Sequence, residues 1–240
     1  MKSFIKSALR RHGLDIVRYQ DKDQLESVRS RVLDHCTTVI DVGGNHGQWA
    51  SRLRQCGWGG PIVSFEPIKS IALWLETEAK NDPLWTVYAT ALGASNNNQT
   101  IHVAANEGAA SSLLIMSDRV HQVDCTAKII NSEVVTVRRL DEIGCVQLHD
   151  NIFLKADVQG YELEVLKGSE GIITQVVGME LELSLIPLYE SQPTISSMLS
   201  ECEEMGFTPV QIRNGFVDPK NGQLLQVDVL FTRYDYNEND

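Results

Sequence analysis

From residue 37 onward, short β-branched runs alternate with stretches whose apolar residues recur at helical spacing, the pattern of a mostly parallel sheet covered on both faces. Thr37 to Val42 reads as a first strand, His46 to Cys56 as the helix that follows, and Pro61 to Glu66 as a second strand. Pro67 then opens a second helix, where its missing N–H costs nothing. Trp85 to Tyr88 and Thr100 to Val103 read as further strands, and the polar run Ser95 to Asn98 turns between the latter and Ala91-Leu92-Gly93. Residues 106 to 132 hold no sustained period and are expected to form a long functional loop or lid. Asn151 to Asp157 is a strand ending in a carboxylate, Tyr161 to Gly171 a helix closed by glycine, and Gln175 to Leu183 another strand. Ser191 to Met205 predicts a helix stopping at Gly206. Phe207 to Arg213 and Leu224 to Thr232, parted by Asn214-Gly215 and Asn221-Gly222, predict an antiparallel hairpin at one sheet edge. The chain thus divides into a helical extension at 1–36, a doubly wound α/β domain at 37–232 and a polar, flexible tail at 233–240.

Composition and charge narrow the class. With 240 residues, 42% of them hydrophobic, the chain suits one domain with a modest appendage. A net charge of −11, from 21 basic and 32 acidic side chains, argues against a nucleic-acid partner, because a phosphate backbone needs a positive field. Basic residues gather only near the start, where Lys2, Lys6, Arg10, Arg11 and Arg18 oppose Asp15 alone and Phe4, Ile5, Ala8 and Leu9 recur at helical spacing. That predicts a helix packed against its own domain, with peripheral contact to anionic lipid as the lesser alternative. No apolar run approaches the roughly 20 residues of a membrane span, and the N-terminus lacks the apolar core of a secretory signal, so a cytoplasmic location is expected. Cys36, Cys56, Cys125, Cys145 and Cys202 are odd in number and scattered, which suggests neither disulfides nor a zinc site.

The chemistry concentrates in Asp41-Val42-Gly43-Gly44-Asn45-His46-Gly47, between the first strand and first helix, where open α/β sheets bind ligands. A dinucleotide fingerprint starting at Gly43 would need glycine at position 45, where Asn45 stands. A carboxylate leading into the loop would also repel a pyrophosphate, whereas it could hold the ammonium of an amino acid. S-adenosylmethionine has that ammonium and no phosphate. Glu66, ending the second strand, stands where an acid accepts hydrogen bonds from ribose hydroxyls, and completes a nucleoside pocket.

These residues resemble the FkbM-type methyltransferases, whose first motif is similar to D-V-G-A-N-x-G and whose later block is similar to K-x-D-V-E-G-Y-E-x-x-V-L-x-G. The second block stands here as Lys155-Ala156-Asp157-Val158-Gln159-Gly160-Tyr161-Glu162-Leu163-Glu164-Val165-Leu166-Lys167-Gly168. Further echoes are Ser64-Phe65-Glu66-Pro67, Ala91-Leu92-Gly93, Ser111-Ser112-Leu113, Leu140-Asp141, and Glu180-Leu181-Glu182 with Leu188-Tyr189. The resemblance implies a seven-stranded, Rossmann-like sheet with an antiparallel C-terminal edge strand, S-adenosylmethionine as methyl donor, and O-methylation in natural-product or glycan pathways. It also implies Ala91 and Leu92 beside the adenine, with Ser112 in the cofactor pocket. At Gln159 this chain departs from the glutamate the family commonly has, which leaves a positioning role there and removes a catalytic one.

The expected cofactor pocket is therefore Asp41, Gly43, Gly44, Asn45, Gly47, Glu66, Ala91, Leu92 and Ser112. A sugar hydroxyl needs a base, and Asp157, at the carboxyl end of its strand, is the first candidate. Lys155 shares its face and would orient it or form a structural ion pair. Glu180 and Glu182 would line the acceptor side, and Glu162 is read as a helix-start carboxylate satisfying backbone donors. His46 and His121 rank below Asp157, the four tryptophans read as core or helix-face residues, and no Asp/His spacing compels a metal. The rival readings are an N-methyltransferase on a small amine, a nucleotide-dependent oxidoreductase disfavoured by Asn45 and Asp41, and a non-catalytic scaffold.

Overall fold

The computed structural model describes residues 31–233. The expected basic N-terminal helix, and the tail beyond residue 233, lie outside them. Strands β1 (Thr38–Val42), β2 (Ile62–Phe65), β3 (Trp85–Tyr88), β7 (Ile152–Ala156), β8 (Val176–Ser184), β9 (Phe207–Asn214) and β10 (Gln226–Arg233) form one sheet in the order β3-β2-β1-β7-β8-β10-β9. β3, β2, β1, β7 and β8 pair in parallel, while β10 runs antiparallel to both its neighbours. The expected antiparallel C-terminal strand is thus present, and it lies one place in from the edge that β9 occupies.

Alternation along the strands sorts the core into two layers. Val39, Ile62, Phe153 and Leu230 pack with Ala50 and Leu53 of α1 (Gln48–Gln55) and Leu75 and Ala79 of α2 (Lys69–Ala79). Their neighbours Ile40, Val42, Val63, Leu154 and Met179 pack on the other face with residues from two later helices. These are Val165 and Leu166 of the helix Glu162–Lys167, and Met198 and Cys202 of the helix Ile195–Glu204. Burial on both faces is why β1 and β7 read as nearly unbroken apolar runs.

Three details differ from the sequence pattern. The helix expected over Tyr161 to Gly171 stops at Lys167 and gives way to a 3-10 segment at Glu170–Gln175. Ala91–Leu92 (β4), Asn97–Ala104 (β5) and Ile129–Arg138 (β6) form a separate three-stranded sheet, ordered β4-β6-β5. The segment expected to be a structureless lid contains α3 (Asp118–Val123) and the start of β6. It is fastened by Ala110, Met116, Val120 and Ala127, which pack on Leu188, Tyr189 and Leu225. The two remaining helices are α4 (Glu162–Lys167) and α5 (Ile195–Glu204). No helix among the described residues is long and apolar enough to cross a membrane.

Candidate active site

At the carboxyl ends of β1, β2 and β7 a cleft of about 410 Å³ opens between the two sheets. The turn after β1 forms one wall. Gly43 has φ 75° there, and a β-carbon on it would lie 2.0 Å from the backbone oxygen of Asp157, so only glycine lets this turn pass over the end of β7. The turn's N–H groups all find partners inside the protein. Those of Gly43 and Gly44 donate to the Phe65 carbonyl at 3.0 Å each, Asn45 donates to Glu66 Oε2 at 3.0 Å, His46 to Asn45 Oδ1 at 2.7 Å, and Gly47 to the Gly44 carbonyl at 2.8 Å.

Glu66 lines the cleft although only 4% exposed. Its Oε1 accepts from the Ile68 N–H at 2.8 Å. Burial pushes its carboxyl up to about 7, against the pull of the Ile68 and Asn45 donors. Beyond it, Ile68, Ala91, Leu92, Ile101 and Leu113 give the cleft an apolar end, and Ser112 Oγ, also on the wall, donates to the Gln159 carbonyl at 2.8 Å.

Asp41 does not line the cleft. Strand alternation turns it to the face of α1 and α2, with Gly44 packed over it, and it is completely buried. Parallel register sets Ser64, Asp41, Lys155 and Glu180 side by side on four adjacent strands. Trp85 Nε1 donates to Ser64 Oγ at 3.0 Å and Ser64 Oγ donates to Asp41 Oδ2 at 2.9 Å. Lys155 Nζ lies 3.5 Å from Asp41 Oδ1 and 3.8 Å from Asp157 Oδ2, and donates to the Gly43 carbonyl at 3.3 Å. Burial lowers the Lys155 ammonium, but the charges of Asp157, Asp41, Glu180 and Glu182 outweigh it and hold the group above its ordinary value.

The other expected residues divide in the same way. Gly43, Gly44, Asn45, Glu66, Ala91, Leu92, Ser112, Lys155 and Asp157 line the cleft, and Gly47, Glu180 and Glu182 do not. Gly47 faces Leu75 and Trp85 in the core. Glu180 sits one strand beyond Lys155, paired with Arg213 at 2.8 Å and accepting from Trp49 Nε1 at 3.3 Å. Glu182 meets Asp157 directly, side chain to side chain, and again through Gln159, whose Nε2 donates to both. Burial, then the charges of Asp157, Glu162 and Asp228, raise Glu182 well above the usual carboxylate range. The side chain of Asp157 is 38% exposed and is the acid open to the cleft at this end. Glu162 Oε1 accepts from the N–H groups of Val158 at 3.0 Å and Gly160 at 3.2 Å, the helix-start role expected of it.

Sequence reasoning did not single out Gln48, Trp49 or Tyr161 as wall residues, nor Tyr189, whose hydroxyl donates towards Gln159 Oε1 and the Ala110 carbonyl. Two of these had a signal, Tyr161 in the Lys155–Gly168 block and Tyr189 in the Leu188-Tyr189 echo. Neither His46 nor His121 lines the cleft.

Solved structures named as methyltransferases share this architecture. One assigned as a sarcosine dimethylglycine methyltransferase, from Galdieria sulphuraria, is 12% identical with a TM-score of 0.50, the match covering 87% of this chain and 83% of that one. Magnesium protoporphyrin IX methyltransferase from Synechocystis PCC 6803, solved with bound SAH, is 11% identical with a TM-score of 0.47, over 97% of this chain and 100% of that one. At such identities the likeness is one of fold. No curated protein sequence matches the chain significantly. A family model does: the methyltransferase FkbM domain matches residues 41–209, most of the chain. S-adenosylmethionine is accordingly the cofactor expected here, and the chain belongs to the FkbM methyltransferase domain family.

Proposed function

We propose that this FkbM methyltransferase moves the methyl group of S-adenosylmethionine to a hydroxyl of a small sugar-bearing or glycan acceptor in the cytoplasm, with Asp157 as general base. The observation that carries the cofactor side is the inward pairing of the turn's five N–H groups from Gly43 to Gly47. A pyrophosphate is held by outward-pointing backbone donors, and this turn offers none. What it offers suits a nucleoside joined to an amino acid: the buried Glu66 carboxylate for ribose hydroxyls, the apolar end at Ala91, Leu92 and Ile101 for the base, and Lys155 for the charged end. Asp41 enters this reading as the buried partner that keeps Lys155 in place beneath the turn.

When bound, S-adenosylmethionine supplies a sulfonium methyl that is already strongly electrophilic. What remains for the protein is to align an acceptor oxygen and take its proton. Asp157 Oδ1 is held by Gln159 at 2.8 Å and Oδ2 faces Lys155 at 3.8 Å, which fixes the carboxylate in place. A neutral amine needs no such base, so an anchored, accessible carboxylate supports a hydroxyl acceptor.

Calorimetry should detect S-adenosylmethionine and its demethylated product, with NAD binding undetectable; tight NAD binding would overturn the cofactor assignment. The same titrations carry a pH signature. Accepting ribose hydroxyls favours the ionised Glu66, whose carboxyl is held near about 7 by burial. Affinity for the demethylated product should therefore fall about tenfold per pH unit below that value. Glu66→Gln should bind more weakly and lose this part of the pH dependence. An identical slope in the variant would remove Glu66 from the pocket.

A further inference from the structure

Asp157 and Glu182 meet at one nitrogen. Gln159 Nε2 lies 2.8 Å from Asp157 Oδ1 and 2.6 Å from Glu182 Oε2, so each of its two protons serves one carboxylate. Its Oε1 accepts from the Tyr189 hydroxyl at 3.0 Å. Turned over, the amide would set its oxygen against both acids and its N–H groups against a hydroxyl with a proton of its own to give. The residue is equally fixed at its backbone, where φ is 55° and the carbonyl accepts from Ser112 Oγ at 2.8 Å. Glu182 is held from its other side by Gln226 Nε2 at 2.8 Å. A residue anchored at three points on its side chain and one on its backbone, with both amide protons spent on the candidate base and the acid behind it, is more than a turn residue.

We propose that Gln159 is the positioning residue of the base: its carboxamide donates to Asp157 and Glu182 at once, stabilises the Asp157 carboxylate and aims it into the cleft. The inference rests on the reading of Asp157 as general base. The groups that face Asp157 are Lys155 on its own strand, Glu162 on α4, Glu182 on β8, and Tyr189. Two of the four are carboxylic acids and Tyr189 is a neutral phenol, so the two amide protons and the Lys155 ammonium are the donors that favour the Asp157 carboxylate. A glutamate at 159 would give no proton and would make a third carboxylate at the junction, which raises the pKa of each member.

The test is a ¹³C NMR titration of the aspartate carboxyls in the full chain without cofactor, with the Asp157 signal assigned by its loss in Asp157→Asn. In Gln159→Glu the Asp157 midpoint should rise by about one pH unit or more, and in the near-isosteric Gln159→Met by less, because the donors are lost without an added charge. The acid limb of kcat/KM should move by the same amount. A merely structural Gln159 would lower stability or turnover in both variants and leave the midpoint where it is, and that result overturns the proposal. Should neither variant fold, Tyr189→Phe frees Gln159 Oε1 while keeping the amide. It should move the midpoint upward by a smaller step, and an unmoved midpoint there also counts against the proposal. Normal turnover in Asp157→Asn would instead sink the base assignment itself, a failure distinct from an unmoved titration.

Discussion

Asp157→Asn is expected to lower turnover by about 100-fold to 10,000-fold, the range associated with losing a positioned base, while leaving affinity for the demethylated cofactor unchanged. The substitution keeps size and keeps an oxygen for the Gln159 donor at 2.8 Å, so the turn after β7 has no reason to move. It removes basicity, and it trades a charge 3.8 Å from Lys155 for a neutral group. Single-turnover rates with saturating cofactor separate the chemical step from binding. Near-normal turnover would send the search for a base to Glu182, the acid joined to Asp157 through Gln159. Loss of cofactor binding would make Asp157 a cofactor ligand.

The largest effect on stability is expected at Lys155→Met. The ammonium is 7% exposed and is the cation shared by Asp41, which is completely buried, and Asp157. Methionine fills similar space but leaves Asp41 buried without its opposite charge. Removing one partner of a buried pair costs about 3–5 kcal/mol. For a domain of this size each kcal/mol is worth roughly 2–4 °C, so thermal unfolding followed by circular dichroism should shift down by roughly 6–20 °C. The sign with pH follows from the same pairing: Lys155 is raised in the fold, so its contribution is fully present at neutral pH and is lost only as strongly alkaline pH passes through its folded value. The double variant Asp41→Asn with Lys155→Met should recover much of the loss. An unchanged melting temperature in the single variant would mean that the cluster is not organised around this ammonium.

The parallel centre of the fold was legible because β1, β2, β7 and β8 are buried on both faces and therefore mostly apolar, broken only by the polar residues they carry toward the site and its neighbourhood. The small second sheet was not. Its β4 has two residues, and β6 spreads exposed Ile130 and Val134 among polar neighbours, so neither carries a clean alternation. Its pairings also join β4 to residues more than forty positions away, which no local pattern encodes. The turn after β1 was legible as the wall of a cleft from its glycines and the acid that ends β2. The depth of Asp41 was not, because period tells which face of a sheet a residue takes and says nothing of what lies over it. Glu180 and Glu182 lie off the cleft because β8 stands one strand out from β7, where Arg213 takes up one and Gln159 and Gln226 the other. The Gln159–Tyr189 contact needed the chain to return over thirty residues, and only the structure closes that gap.

The close pass of Gly43 over the Asp157 carbonyl has a consequence for how such an enzyme diversifies. A shift of either element large enough to admit a new acceptor would break the contact, so the turn proposed to hold the cofactor and the residue proposed as base move as one unit. Freedom to change clients lies instead in the parts that meet this unit by side chains alone: the stretch from Ser112 through α3, and the loop after β8 that carries Tyr189. Exchanging those two segments between relatives, while leaving β1, β7 and their turns untouched, is the route by which acceptor choice should be transferable.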